Sequence, residues 1–191
     1  MTPCNIGFAV TGSFCTFKSI LPEIQNLKND GHNIIPIMSH NAYSTDTRFG
    51  SSDFFRNEIK KITGNQIISE ISQAEPIGPR KLLDLLIIAP CTGNSLAKLA
   101  NGIADTSVTL AAKSHLRNSR PLLIAVSTND ALSAAAKNIG NLLNYKNIYF
   151  VPMKQDDSEN KPRSVVADFS KIRPSAEAAL QGNQMQPIIF H

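Results

Sequence analysis

Leu82-Leu83-Asp84-Leu85-Leu86-Ile87-Ile88-Ala89-Pro90-Cys91-Thr92-Gly93-Asn94-Ser95 is the stretch on which the reading of the fold turns. Its first part, Leu82 to Ala89, is the most apolar strand candidate in the chain, and Pro90 is expected to close it. A short apolar run bounded by turn signals reads as a strand buried on both faces. The composition then changes abruptly to small polar residues, and Asn94 to Asn101 reads as an Ala-rich helix. Strand, polar turn and helix in that order make one unit of a layered α/β fold.

The pattern repeats outward. Ile6 to Val10 is a short apolar strand ending at Thr11-Gly12-Ser13. From Thr16 onward, Phe17, Ile20, Leu21, Ile24 and Leu27 recur at helical spacing until Asn29-Asp30-Gly31-His32 stops them. Pro22 inside that run predicts either a kink or a late start of the regular helix. Asn33 to Met38 is a second strand, followed by a polar loop from Ser39 to Arg48. Phe54, Phe55, Ile59 and Ile62 form a further stripe, with Asp53 as cap and Gly64 as stop. Downstream, Ser107 to Arg117 reads as a helix, Leu122 to Val126 as a strand, and about Asn129 to Leu143 as a helix. Asn147 to Val151 is a fifth strand, Lys154 to Arg163 an exposed loop, Ser175 to Leu180 a last helix, and Pro187 to Phe190 an extended tail. The expectation is one α/β domain over residues 1–191 with a mostly parallel sheet, the part from about 164 forming the C-terminal helix and tail.

Composition excludes several classes. The surplus of 19 Lys and Arg over 15 Asp and Glu is spread along the chain, and no Trp is present, so a basic stripe with stacking aromatics is missing. Nucleic acid is not expected as a partner. Cys4, Cys15 and Cys91 are an odd set without C-x-x-C spacing, which fits neither a disulfide framework nor zinc. No metal-ligand cluster is visible in the spacing of His, Cys, Asp and Glu. No apolar run approaches the roughly 20 residues that span a bilayer, and no basic leader precedes the first strand, so a cytosolic protein is expected.

In parallel α/β sheets, ligands bind beyond the carboxyl ends of the strands. The loops in that position are Thr11–Thr16, Ser39–Phe49, Pro90–Ser95 and Ser127–Asp130, and all are rich in Ser, Thr and Asn. Gly12, Ser13 and Thr16 lie where a strand hands over to a helix N-terminus, a place suited to phosphate or to a plain capped turn. Neither G-x-G-x-x-G nor a P-loop is present. Asn94 and Ser95 either cap their helix or meet the edge of a heteroaromatic ring. Lys98 holds an anion or faces solvent, and Arg48 grips a phosphate or carboxylate or forms an exposed salt bridge. His32 and His191 read as solvated, His115 as a surface or subunit contact, and His40 is the histidine that falls in a ligand loop. Cys15 and Cys91 fall in ligand loops too, although buried apolar packing is the default for free cysteines. Asp105 and Asp130 show no spacing of an acid/base pair.

Thr11-Gly12-Ser13 with Lys18, and the block from Ala89-Pro90-Cys91-Thr92-Gly93-Asn94-Ser95 through Lys98 to Asn101-Gly102-Ile103-Ala104-Asp105, resemble the flavoprotein superfamily of FMN-binding cysteine decarboxylases. Thr45 to Gly50, Ala74 to Pro79, Ser127 to Leu132, and Lys146 to Pro152 with Gln155-Asp156-Asp157 resemble one branch of it, the B-subunit family of bacterial dipicolinate synthases. The resemblance implies a single-domain flavodoxin-like, Rossmann-type three-layer fold that assembles into homotrimers or larger. It implies an FMN pocket formed by Gly12, Ser13, Thr16, Ser39, Asn94, Ser95, Lys98, Ser127 and Asn129, with Arg48 for a substrate or phosphate anion. It also implies an A subunit carrying NAD(P), with which the chain oxidises a dihydrodipicolinate-type small molecule to pyridine-2,6-dicarboxylate in the mother-cell cytoplasm of a sporulating bacterium. A non-catalytic scaffold for the A subunit and a stand-alone FMN-dependent decarboxylase are the alternatives. Two departures count against the last: Ser51-Ser52-Asp53-Phe54-Phe55-Arg56 lacks the superfamily's histidine, and no Cys follows Cys91.

Overall fold

The apolar stretch becomes the middle of the sheet. In the computed structural model, which describes residues 2–190, Leu85–Cys91 (β3) is buried along its whole length between Asn5–Val10 (β1) and Leu122–Thr128 (β4). Asn33–Met38 (β2) flanks β1, and Ile148–Phe150 (β5) flanks β4, every one of these pairings being parallel. The parallel order is thus β2-β1-β3-β4-β5. Two short strands, Met153–Lys154 (β6) and Val165–Ala167 (β7), form an antiparallel pair, and β7 adds to the last residues of β4, opposite Ser127 and Thr128. The result is a seven-stranded, mostly parallel sheet in a single α/β domain.

Helices cover both faces. Phe17–Asn29 (α1) packs against Ser52–Thr63 (α3) and Ile172–Leu180 (α8) on one side, and Ile71–Ala74 (α4), Gly93–Ala100 (α5), Ser107–Leu116 (α6) and Ala136–Leu143 (α7) form the layer on the other. His40–Ser44 (α2) is a short helix above β2. The α1 stripe buries Phe17, Ile20, Ile24 and Leu27 as its spacing predicts, and Pro22 is carried inside the helix after a 3-10 turn at Phe14–Thr16.

Several expectations are corrected. Pro90 does not close β3: the strand runs to Cys91, and a register shift between Ile88 and Cys91 accommodates the missing amide. The Ser39–Arg48 loop contains α2, because the Ser39 hydroxyl accepts from Ala42 N and starts a turn of helix. Ser51, not Asp53, caps α3 through Phe54 N, and Asp53 pairs with Arg56, while Phe54 faces solvent. The helix drawn from Asn129 begins only at Ala136, because Asp130 O collects the amides of Ser133 and Ala135, and Leu132 N bonds Arg163 O instead. The last helix starts at Ile172 rather than Ser175.

The histidines are corrected as well. His32 is buried, with Nδ1 accepting from Cys4 N at 3.3 Å. His115 is buried too, its Nε2 2.8 Å from the Pro121 carbonyl oxygen. It falls in line with Val108, Ala111 and Ala112 on the inward face of α6, a spacing visible in the sequence. His191 lies outside the described residues.

Both margins of the parallel part of the sheet are occupied by segments that are not strands of it. Beside β5, the Gln184 amide accepts from Phe150 N and donates to Phe150 O, both at 2.7 Å. Beside β2, Ile68 exchanges amide bonds with Pro36 O and Met38 N, and Asn65 Nδ2 donates to Ile34 O at 2.7 Å.

Gly7 in β1 leaves no space for a side chain. A Cβ there would stand 2.5 Å from Leu83 Cδ1 and 2.8 Å from Leu86 Cδ1. Gly7→Ala is expected to destabilise the fold by about 1–3 kcal/mol, the usual range for overpacking a filled core. A urea melt monitored by far-UV circular dichroism checks this, and an unchanged midpoint refutes it.

Candidate functional site

The sheet order reverses between β1 and β3: the chain leaves β1 for β2 on one side, and β3 for β4 on the other. The crevice at their carboxyl ends is the switch point at which open α/β sheets bind ligands. The Thr11 hydroxyl donates to Pro90 O at 2.8 Å, and Thr92 N donates back to the Thr11 oxygen at 3.0 Å. These bonds fix the floor of the crevice.

Two cavities open there and share Gly12 and Thr92. The larger, about 590 Å³, is lined by Gly12, Ser13, Thr16, Arg48, Ser127 and Asn129, with Phe14, Phe49, Val165 and Val166 as apolar walls. The smaller, about 340 Å³, is lined by Gly12, Ser39, Asn94, Ser95 and Lys98, with His40 and Thr106. Every residue singled out from the sequence as a candidate contact therefore lines one cavity or the other. The geometry divides them into a mixed apolar compartment and a polar one.

Local structure explains each position. Thr92 caps α5, accepting from Ser95 N at 3.3 Å and meeting the Ser95 hydroxyl at 3.1 Å. Capping therefore falls to Thr92, correcting the reading of Asn94 and Ser95 as caps, and the exposed Asn94 amide remains available at the helix N-terminus. Gly93 admits the neighbouring loop closely: a Cβ there would stand 2.6 Å from Asp130 Oδ1 and 2.8 Å from Thr128 Oγ1. Lys98 Nζ lies 2.7 and 2.9 Å from the Asp105 carboxylate oxygens, so it is neither an unpaired anion site nor simply solvated. That ammonium holds the Asp105 carboxyl below its ordinary range.

The Ser13 and Ser127 hydroxyls lie 2.7 Å apart, linking the loop after β1 to the end of β4 across β3. Thr16 turns its hydroxyl back onto Ser13 O at 2.8 Å. Asn129 Oδ1 accepts from Ser164 at 3.4 Å. Of the two readings of Arg48, the exposed salt bridge is not formed: among the described residues no carboxylate pairs with it, and its guanidinium carbon lies 4.9 Å from the Phe49 ring centroid. Cys91 is wholly buried, and burial pushes its thiol far up, so it is inert packing. Cys15 departs from the buried default and is exposed at the larger cavity.

The sequence reading named the loops that hold Phe14, Phe49 and Thr92 without choosing those residues as contacts, and it missed Asp156, Lys161 and Ser164 altogether. Thr92 had a signal, a threonine three residues before a serine at a helix start. Asp156, Lys161 and Ser164 arrive through the β6–β7 hairpin, and nothing local announces them.

Residues 1–172 match the model of the flavoprotein family. The chain is 44% identical over 185 residues to the B subunit of dipicolinate synthase from Bacillus subtilis, covering 97% of this chain and 92% of that one. The crystal structure of the corresponding B subunit of dipicolinate synthase from Bacillus halodurans matches with a TM-score of 0.91 at 42% identity, covering 98% of this chain and 96% of that one. The FMN-dependent cysteine decarboxylase SpaF matches with a TM-score of 0.67 at 21% identity, covering 93% of this chain and 96% of that one, a likeness of fold alone. Among the described residues no helix is long and apolar enough to cross a membrane, and no group of His, Cys, Asp and Glu could hold a metal ion.

Proposed function

Because this chain belongs to the flavoprotein family, we propose that it binds flavin mononucleotide between the ends of β1 and β3 and serves as the B-type subunit of a two-component dipicolinate synthase. The observation that carries the reading is the division of the crevice. The polar cavity offers the α5 N-terminus, the free Asn94 amide, the Ser39 hydroxyl and Lys98, a donor set suited to a phosphate. The larger cavity offers Phe14, Phe49 and two valines beside serine hydroxyls, which suits a flat ring with a polar edge. Donor chemistry and wall chemistry thus fit the two ends of a flavin nucleotide. The name of the Bacillus subtilis relative supplies the substrate class.

The reaction in this reading removes a hydride and a proton from a dihydrodipicolinate-type ring and leaves the aromatic pyridine-2,6-dicarboxylate. A bound flavin supplies a hydride acceptor or relay, and the A subunit brings NAD(P) as the final one. This chain's residues bind and orient: Lys98, held by Asp105, with Asn94 and Ser39 at the phosphate, and Ser13, Ser127 and Asn129 at the ring edge. Gly12 and Thr16 shape the turn between the two cavities, Ser95 helps fix the Thr92 cap, and Arg48 meets an anionic substrate. Homo-oligomerisation and a mother-cell location belong to the same proposal.

A second reading, a scaffold that stabilises the A subunit without handling flavin, is favoured by the Ser13–Ser127 bond, which already satisfies hydroxyls that a ring edge would need. Titration of FMN into the purified chain, followed by flavin fluorescence, decides between them. Saturable quenching that is weakened at least tenfold in Asn94→Ala/Lys98→Ala is expected. A folded chain that quenches nothing, yet raises A-subunit turnover, establishes the scaffold instead.

A further inference from the structure

Two loop tips reach the larger cavity, and each is pinned by its own hydrogen bonds. The first is a tight turn in which Thr47 N donates to Gly50 O and Gly50 N to Thr47 O, both at 3.1 Å, with Arg48 and Phe49 at its apex. Its foot is fixed by Asp46, which accepts from Ser52 N at 2.8 Å and from the Ser52 hydroxyl at 2.9 Å. Gly50 is confined there: its φ is +148°, and a Cβ would stand 2.8 Å from the Phe55 ring.

The second tip lies between β6 and β7. Asp157 Oδ1 accepts from Asn160 N at 2.9 Å, Lys161 N donates to Asp157 O at 2.9 Å, and Gln155 Nε2 closes the neck on Pro162 O at 2.8 Å. Backbone held in this way gives Lys161 a fixed root beside the cavity, which it lines together with Arg48. Its ammonium is only loosely engaged, 3.4 Å from Asp156 Oδ2, and its side chain is 54% exposed. An ion pair so long and wet contributes little and exchanges readily for a better anion. Burial opposes ionisation of Asp156, but the Ser164 hydroxyl and Lys161 outweigh it and hold the carboxyl below its ordinary range. The cavity wall therefore carries two cations, from different elements, against one carboxylate.

We propose that Arg48 and Lys161 form a two-point clamp for a planar dicarboxylate, Lys161 setting the preference for a second carboxylate. The clamp rests on the proposed function for the identity of the dicarboxylate, but its recognition chemistry is separate from flavin binding. Arg48 is the bidentate site, its guanidinium resting over the Phe49 ring and leaving its N–H groups without a carboxylate partner among the described residues. Lys161 is the point charge that a mono-acid leaves without a partner. The phosphate-suited donors lie in the other cavity, so a flavin and a dicarboxylate do not compete for the same cations.

Calorimetric titration of the full chain, loaded with FMN, against pyridine-2,6-dicarboxylate and pyridine-2-carboxylate tests the clamp. Wild type is expected to prefer the dicarboxylate by about two- to fivefold, the worth of one exposed charge pair. Lys161→Ala brings that ratio close to one without altering FMN quenching, Lys161→Arg keeps it, and Asp156→Asn raises it. An unchanged ratio in Lys161→Ala, or a flavin-loaded wild type that binds neither acid, overturns the clamp. If the chain binds no FMN, the cofactor reading fails, and the same ratio measured on the bare chain still decides the clamp.

Discussion

Gly93→Ala is expected to weaken the proposed FMN binding about 10- to 100-fold, against the direction in which helix propensity alone would act. Alanine in place of glycine favours a helix by about 1 kcal/mol, and Gly93 is the first residue of α5. The added Cβ, however, would meet Asp130 Oδ1 at 2.6 Å and Thr128 Oγ1 at 2.8 Å. Those atoms are themselves joined by a 2.5 Å hydrogen bond, so neither moves freely. Overpacking of this kind costs about 1–3 kcal/mol; the part relieved when the turn shifts out of its ligand-holding position is lost from binding, each 1.4 kcal/mol being a factor of ten in affinity. The strain falls on the turn that presents Asn94 and Ser95, and flavin fluorescence quenching reads it directly. Gly93→Ala/Asp130→Ala removes the nearer obstacle and should recover part of the loss. Equal losses in single and double variants would place the cause elsewhere.

Acidification should destabilise this protein through two buried imidazoles outside the crevice. Burial lowers the pKa of His32, with Asp30 and Glu177 pulling back and Arg173 adding to the shift. Burial also lowers that of His115, against the Pro121 bond and Asp84, with Arg120 reinforcing it. A depressed histidine is neutral in the native state while the unfolded chain protonates. Its stabilising contribution is thus complete above the unfolded value of about 6.5 and is lost as pH falls through the folded value. Protonation of His32 also turns Nδ1 into a donor facing the Cys4 amide, and among the described residues its Nε2 has no hydrogen-bond partner. Urea midpoints should therefore fall from pH 7.5 to 5.5 in wild type and less steeply in His32→Asn/His115→Gln. An alanine at position 115 would orphan the Pro121 carbonyl, a loss of about 1–3 kcal/mol at every pH. Parallel midpoint curves for wild type and the double variant would rule out these two groups as the acid-sensitive ones.

The parallel core was legible because its signals are local. β1, β2, β3 and β4 are apolar runs between polar turns, and α1 and α3 carry their stripes in plain sight. The loops holding Gly12, Ser39, Asn94 and Ser127 could be placed at one end of the sheet from strand direction alone. The β6–β7 hairpin could not, since its strands span only Met153–Lys154 and Val165–Ala167 and exist through pairing with a strand far away in sequence. Lys161 escaped notice for the same reason. The chemistry of Lys98 also depended on a partner, Asp105, whose approach is set by the turn after α5 rather than by helical spacing.

The margins of the sheet carry a last consequence. An open β-edge is a template on which another chain can extend the ladder. Here Gln184 holds the hydrogen-bonding groups of Phe150 at one margin, while Ile68 and Asn65 hold those of β2 at the other. Strand addition, whether by a misfolded copy or by a partner's extended segment, would first have to strip these residues away. At the β2 and β5 margins the ladder is thereby closed to extension, and β6 forms the remaining edge of the seven-stranded sheet.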